Sequence, residues 1–403
     1  MYFGVRSAIC LAVMLTVPST AFADAPVDPQ KLYAQAKAGD VEAMCDLSKL
    51  FYLGEVIKKD LKASFAWAEA GAKLGAARCI NSLGVHYTEG IVVPKDDARA
   101  LTYYQSAADA GFVIAQRNLG SIYLYGQFGQ DKNPSLGKEW YTLAAKQGDA
   151  ISQQQLGFLL LKGDEGVKAD LSSAFTWFIM AAKQDDPLSQ LMAGKMLAHG
   201  EGTTKNPSVA VNWFSKAAAQ GLAGAQVDLG IALINGTGIA KNAKLGITWL
   251  EKAAAQQDAL PADLGSAHAA LAAVFQKGIG VPANAEKARQ HWKLAADFGN
   301  ARAREALAAL DKPSASRPSA NGSPTAGEAL GGLILLGIMG AMASGGNADS
   351  GSDCDLPSYT ANWSQAAKDY ECWQRNETAR FEAERERQRQ ENDSLMDLML
   401  LYE

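Results

Sequence analysis

Apolar positions recur four residues apart through most of the chain. Over 115–126 the residues Ala115, Leu119 and Tyr123 fall on one side of a helix that Gly126 ends. Short turns follow such helices, as at 200–206 and 236–242, and they place Asn206 and Asn242 where a following helix wants its N-cap. The second helix carries an aromatic pair and then an Ala-Ala step: Trp140-Tyr141 before Ala144-Ala145, Trp177-Phe178 before Ala181-Ala182, Trp213-Phe214 before Ala217-Ala218. The pattern predicts helical hairpins.

The hairpins repeat. Gly39, Gly75, Gly111, Gly148, Gly221 and Gly299, with Asp185 and Gln257 in the two gaps, are separated by 36, 36, 37, 37, 36, 36 and 42 residues. Gly54, Gly90, Gly126, Gly163, Gly200, Gly236 and Gly278 keep the same register in mid-repeat, and the six extra residues sit around Pro261. Periods of this size mean stacked supersecondary units, each burying its face only against its neighbours. Pro29 to Ala38 is read as a leading cap helix. Asn300 to Leu310 is read as a terminal one, with Ala303, Ala306, Leu307 and Leu310 at helical spacing.

The pattern Ala-x-x-x-Leu-Gly-x-x-Tyr-x-x-Gly-x-Gly, a polar turn, then Ala-x-x-Trp-Tyr-x-x-Ala-Ala-x-x-Gly resembles the Sel1-like repeat, a relative of the tetratricopeptide repeat. The resemblance covers about residues 33 to 310, with departures at Ser48, Ala193-Gly194 and Ala272. It implies an all-α fold, a right-handed α-solenoid of about seven helix-turn-helix repeats spanning 24–310, that serves as a scaffold for protein partners. Exported bacterial members are often tied to envelope polysaccharide control, signalling or host interaction.

If the repeats stack as in tetratricopeptide arrays, the first helix of each lines a concave face. The residues pointing into it are then Ile114, Arg117 and Leu124, Ile151, Phe158 and Leu161, Leu188, Leu191 and Lys195, and Val227, Ile231 and Ile234. Such a groove suits an apolar peptide or helix, with Arg117, Lys162 and Lys195 for acidic ends. A tighter superhelix would pack these side chains on one another instead.

The ends of the chain bear on location. Residues 1–23 read as a secretory signal peptide: Arg6, an apolar run from Ala8 to Val17, and Ala21-Phe22-Ala23 before Asp24. The run is too short to span a bilayer, and Cys10 lies inside it rather than at its end, which argues against a lipid anchor. Cleavage after Ala23 would make the protein periplasmic or secreted and leave Cys45, Cys79, Cys354 and Cys372 in an oxidising compartment. A Cys354–Cys372 bridge is expected, closing a short loop worth ~3 kcal/mol. Cys45 and Cys79 are either bridged or two buried thiols. Residues 311–328, rich in Pro, Ser and Gly, read as a flexible linker. The Gly-rich apolar segment 329–346 has fifteen uncharged residues in its core, and as a helix these would rise only ~22 Å against ~30 Å of hydrocarbon. It is read as touching a membrane surface or as self-associating. Residues 347–403 form a tail with an amphipathic helix.

Composition narrows the function class. Of 403 residues 48 % are hydrophobic and 20 % charged, which excludes a disordered chain. The 38 basic residues against 43 acidic ones give −5, or −6 once Arg6 leaves, and a duplex-coating protein would need the opposite sign. The four histidines, His86, His199, His268 and His291, occupy different repeat positions without metal-ligand spacing, so no metal and no cofactor is expected. Ser135 and Lys138 match a Ser-x-x-Lys motif by chance, since its companion elements are missing. The expected function is a non-enzymatic envelope scaffold that holds a protein partner. The rival is a hydrolase or transferase acting on peptidoglycan.

Overall fold

The computed structural model describes residues 28–310, so the expected signal peptide, linker and tail, segment 329–346 and the expected Cys354–Cys372 pair all lie outside the described residues. Among the described residues there are sixteen helices and no strand: α1 (Pro29–Lys37), α2 (Val41–Leu53), α3 (Leu61–Lys73), α4 (Ala77–Glu89), α5 (Asp97–Asp109), α6 (Val113–Tyr125), α7 (Pro134–Lys146), α8 (Ala150–Lys162), α9 (Leu171–Ala182), α10 (Pro187–His199), α11 (Pro207–Ala219), α12 (Ala223–Asn235), α13 (Ala243–Ala254), α14 (Pro261–Lys277), α15 (Ala285–Asp297) and α16 (Ala301–Leu310). The even-numbered helices α2 to α14 are the first helices of the seven repeats, α3 to α15 the second helices, and α1 and α16 the two caps.

The chain divides into two compact units. Unit 1 takes the described residues up to Leu159 together with Asp164–Lys168, and unit 2 takes Leu160–Gly163 and the described residues from Ala169 onward. Within unit 1 consecutive helices from α1 to α7 pack on one another, and within unit 2 those from α9 to α16 do. Each unit is thus a solenoid stack with its core along the seams.

Local chemistry sets these helices. Every second helix is N-capped by an Asp or Asn whose side chain accepts from the backbone N–H three residues on, for instance Asp96 from Arg99 and Asn242 from Leu245. Such a cap is worth ~1 kcal/mol. The same residue donates its own N–H to a carbonyl near the end of the first helix, as Asn206 does to Leu197 and Asn284 to Phe275, so the turn satisfies an otherwise orphaned group. The mid-repeat glycines end the first helices in the left-handed region, and Asp185 adopts the same region (φ 62) where five other repeats place glycine.

Packing within a repeat is a fit of a glycine to a ring. Of the aromatic pair the second member is buried, as with Tyr104, Tyr141 and Phe178, and the first is half-buried. A Cβ on Gly120 would lie 2.7 Å from the Tyr141 ring, and one on Gly194 would lie 2.6 Å from Phe214. The first repeat has Ser48 at this place, and the facing position shrinks to Ala68.

Polar ties cross the seams. Gln116, Gln153, Gln190 and Gln226 occupy one repeat position, all buried, and donate to Ala108, Ala145, Ala182 and Ala218 carbonyls at 3.0–3.2 Å. Gln147, Gln220 and Gln256, one repeat position later, donate in turn to Gln116, Gln190 and Gln226 at 2.8–3.0 Å. The first two repeats lack the amide, and there Cys45 of α2 and Cys79 of α4 form a disulfide with Cα atoms 5.1 Å apart. The alternative of two free thiols is thereby removed. Among the described residues no helix is long and apolar enough to cross a membrane.

Candidate functional site

The side chains expected to line an open groove sit mostly inside the protein. In unit 1 Arg117, Leu124 and Phe158 are buried, and in unit 2 so are Leu161, Leu191, Lys195, Val227, Ile231 and Ile234, the last two only 1 % exposed. Ile231 and Ile234 pack in one cluster with Ile247, Leu250 and Trp292. This corrects the expectation of an accessible apolar channel. The physical reason lies in the helices themselves: α12 buries every residue from Ala223 to Ile234 except Asp228, and a helix apolar on all sides is an interior helix. The accessible fringe is narrower. Ile114 and Ile151 in unit 1 and Leu188 in unit 2, each in the first turn of its helix, remain half-exposed.

The expected cations are already engaged. The Arg117 guanidinium, 2 % exposed, donates from Nη1 to Asp149 Oδ1 at 3.0 Å, and Asp149 also accepts from the Ser152 N–H and hydroxyl. Burial pushes Arg117 down from its ordinary value while Asp149 pulls it back. Lys195 lies 3.7 Å from Asp228, whose carboxyl is pushed up by burial against the pull of that lysine. Both line a cavity of about 30 Å³ walled by Ala210, Phe214 and Ile231, room for a water but not for a side chain of a partner. Lys162 is exposed in the last turn of α8. Breaking either buried pair would strand a charge, so these residues hold the interior and do not wait for a ligand.

Two pairs with chemical potential were not legible from spacing. In unit 1 the Ser64 hydroxyl lies 2.8 Å from the Ser48 carbonyl and 3.0 Å from His86 Nε2. A carbonyl only accepts, so the single Ser64 proton goes to Ser48, and His86 Nε2 must carry hydrogen and donate to Ser64. The imidazole therefore cannot take the serine proton as a general base, and both residues are buried. Burial drives His86 down to about 4. In unit 2 the Nδ1 atoms of His268 and His291 are 3.1 Å apart, with His268 stacked on Phe298 and His291 on Phe275. His291 stands in the aromatic column of its repeat, which was the available signal.

Ser135 and Lys138 both line an open depression of about 550 Å³ in unit 1, with Glu139, Thr142 and Leu143. The Ser135 hydroxyl donates to the Gly166 carbonyl at 3.2 Å. Glu201 is pushed up to about 7 by burial, and its Oε2 has no hydrogen-bond partner. Among the described residues no group of three or more potential ligands is placed to hold a metal ion.

Comparison with known proteins places these repeats. The Sel1 repeat family matches at residues 41–75, 77–112, 113–149, 150–186, 187–222, 223–258 and 265–300, more than half of the chain. Protein sel-1 homolog 2 of Mus musculus is 31 % identical over 91 residues, 23 % of this chain and 13 % of the mouse protein, so the match spans a small part of that relative. Among solved structures, c5321, a protective antigen present in uropathogenic Escherichia coli strains displaying an SLR fold, is 28 % identical with a TM-score of 0.49, covering 70 % of this chain and 67 % of that one. A Sel1 repeat protein from Oxalobacter formigenes is likewise 28 % identical with a TM-score of 0.49, over 70 % of this chain and 80 % of its own.

Proposed function

The chain belongs to the Sel1 repeat family, and from that membership we propose that it is an exported, non-enzymatic scaffold that binds a protein partner in the cell envelope. Sel1 repeats are protein-interaction modules, and the observation that carries the scaffold reading is their run of seven copies. The Ser64–His86 pair supports the non-enzymatic part, because its proton arrangement runs opposite to that of a nucleophile and base. The buried Cys45–Cys79 disulfide supports export, since such bonds persist in oxidising compartments. Contact with the partner uses the accessible first-turn fringe rather than the filled interior, with Ile114 and Ile151 in unit 1 as its apolar anchors. Regulation of signalling or of polysaccharide assembly is the pathway in which such a scaffold acts.

Affinity capture from the native envelope, compared between the wild type and the Ile114→Asp/Ile151→Asp variant, tests the reading. A partner lost on substitution, with unchanged helicity, supports it. Identical capture by both proteins refutes the fringe. Peptidoglycan turnover by purified protein refutes the scaffold. Location is tested by cell fractionation and by the mass of the mature chain, which cleavage after Ala23 fixes; an intact cytoplasmic chain removes the envelope from the reading.

A further inference from the structure

The outward side of the second helices in unit 2 carries a chemistry that partner binding by the first helices does not use. Residues four before and three after the half-buried aromatic share a helix face with it. On α11 this face reads Val209, Trp213, Lys216, and on α13 it reads Leu245, Trp249, Lys252. Trp213 and Trp249 pack against the same cluster from neighbouring repeats. Met180 on α9 and Leu294 on α15 occupy the same register, so four of the five large apolar side chains that unit 2 exposes among its described residues lie in this one stripe. Single exposed leucines need no explanation, but a register-locked series does.

Charge separates the stripe from the rest of the molecule. Its twelve positions in unit 2 hold three lysines, the third being Lys287, and no Asp or Glu, in a chain where acidic residues outnumber basic ones 43 to 38. Lys216 Nζ lies 4.9 Å from the centre of the Trp213 ring and Lys252 Nζ lies 5.1 Å from that of Trp249. Each ammonium thus sits over one face of its ring. Among the described residues none of the three lysines is ion-paired.

We propose that this face of unit 2 rests on an anionic lipid bilayer. Aliphatic groups and indoles level with unpaired ammonium groups are the composition that an interface of acyl chain and headgroup accommodates. An acidic protein surface would satisfy the lysines and leave the aliphatic positions facing charge. Each lysine at the surface of an anionic leaflet contributes about fivefold in partitioning.

Co-sedimentation of the full chain with vesicles tests this, using phosphatidylcholine alone and phosphatidylcholine with one third phosphatidylglycerol. Binding is expected to the anionic vesicles only and to weaken with salt. The Lys216→Gln/Lys252→Gln variant is expected to lose about 30-fold. Val209→Ser/Leu245→Ser is expected to lose binding as well, with circular dichroism unchanged in both. Equal binding to neutral vesicles, no binding to anionic ones, or binding that both variants retain in full each overturns the proposal, the last by assigning the membrane contact to another part of the chain.

Discussion

Acid should weaken unit 1 through a single imidazole. His86 is 2 % exposed, edge-on to Tyr52 and Phe65, and hydrogen-bonded to Ser64, with a folded-state pKa driven from 6.5 to about 4 by burial. A base whose pKa is depressed in the folded state favours folding while it is neutral. Its contribution is complete above about 6.5, declines as the pH falls toward 4, and is gone below that, where both folded and unfolded chains are protonated. The shift from 6.5 to about 4, at ~1.4 kcal/mol per pH unit, gives about 3 kcal/mol across that window. His86→Gln keeps a side-chain N–H for Ser64 but cannot titrate. Urea unfolding followed by circular dichroism, at pH values from 7.5 to 4, should show the wild type losing about 3 kcal/mol more than the variant over that range. His268 also titrates, its pKa likewise lowered to about 4, but it is common to both proteins and cancels in the difference. Parallel pH profiles for wild type and variant would refute the reasoning.

Four further outcomes follow from the packing. Reducing the Cys45–Cys79 bridge, or replacing both residues with serine, releases a 34-residue loop and should cost about 4 kcal/mol by chain entropy, read as a lower urea midpoint; an unmoved midpoint contradicts it. Gly120→Ala gains helix propensity of ~1 kcal/mol but drives a methyl into the Tyr141 ring, so net destabilisation of about 1–2 kcal/mol is expected in thermal melts. Ile231→Asp should unfold unit 2 or cost more than about 4 kcal/mol, whereas Ile114→Asp should stay within about 1 kcal/mol; equal losses would mean that burial does not separate core from fringe. Gln226→Ala leaves the Ala218 carbonyl and the Gln256 amide short of a partner and should cost about 1–3 kcal/mol, visible as faster amide exchange at that seam.

Helix positions, glycine stops and Asx caps were readable in the sequence because each depends on a local backbone demand. Gly126 and Gly236 must enter the left-handed region, and Asn206 and Asn242 must meet N–H groups three residues on. Which face of each first helix would be open was not readable. Ile231 and Phe158 point toward the expected groove by repeat position alone, and only the packing of α12 against α13 and α14 shows how little of Ile231 is left for a partner. The Ser64–His86 contact was hidden for a different reason. It joins helices of successive repeats, where the first has lost its glycine and its bulky ring. The glutamine ties did leave a signal: Gln116, Gln153, Gln190 and Gln226 recur at 37, 37 and 36 residues. A search for apolar landmarks passes over it, because long amides are ordinarily surface residues.

Three different chemistries tie the helices together, and the surroundings act on them differently. A disulfide ties α2 to α4 and glutamine amides tie the middle repeats to one another, while inside the last repeat an imidazole pair ties α14 to α15. Electron donors act on the first, protons act on the last and on His86 beside the first, and neither acts on the amides between. A reducing milieu therefore loosens only the first repeats, whereas an acidic one reaches both ends of the repeat series, through His86 in unit 1 and His268 in unit 2.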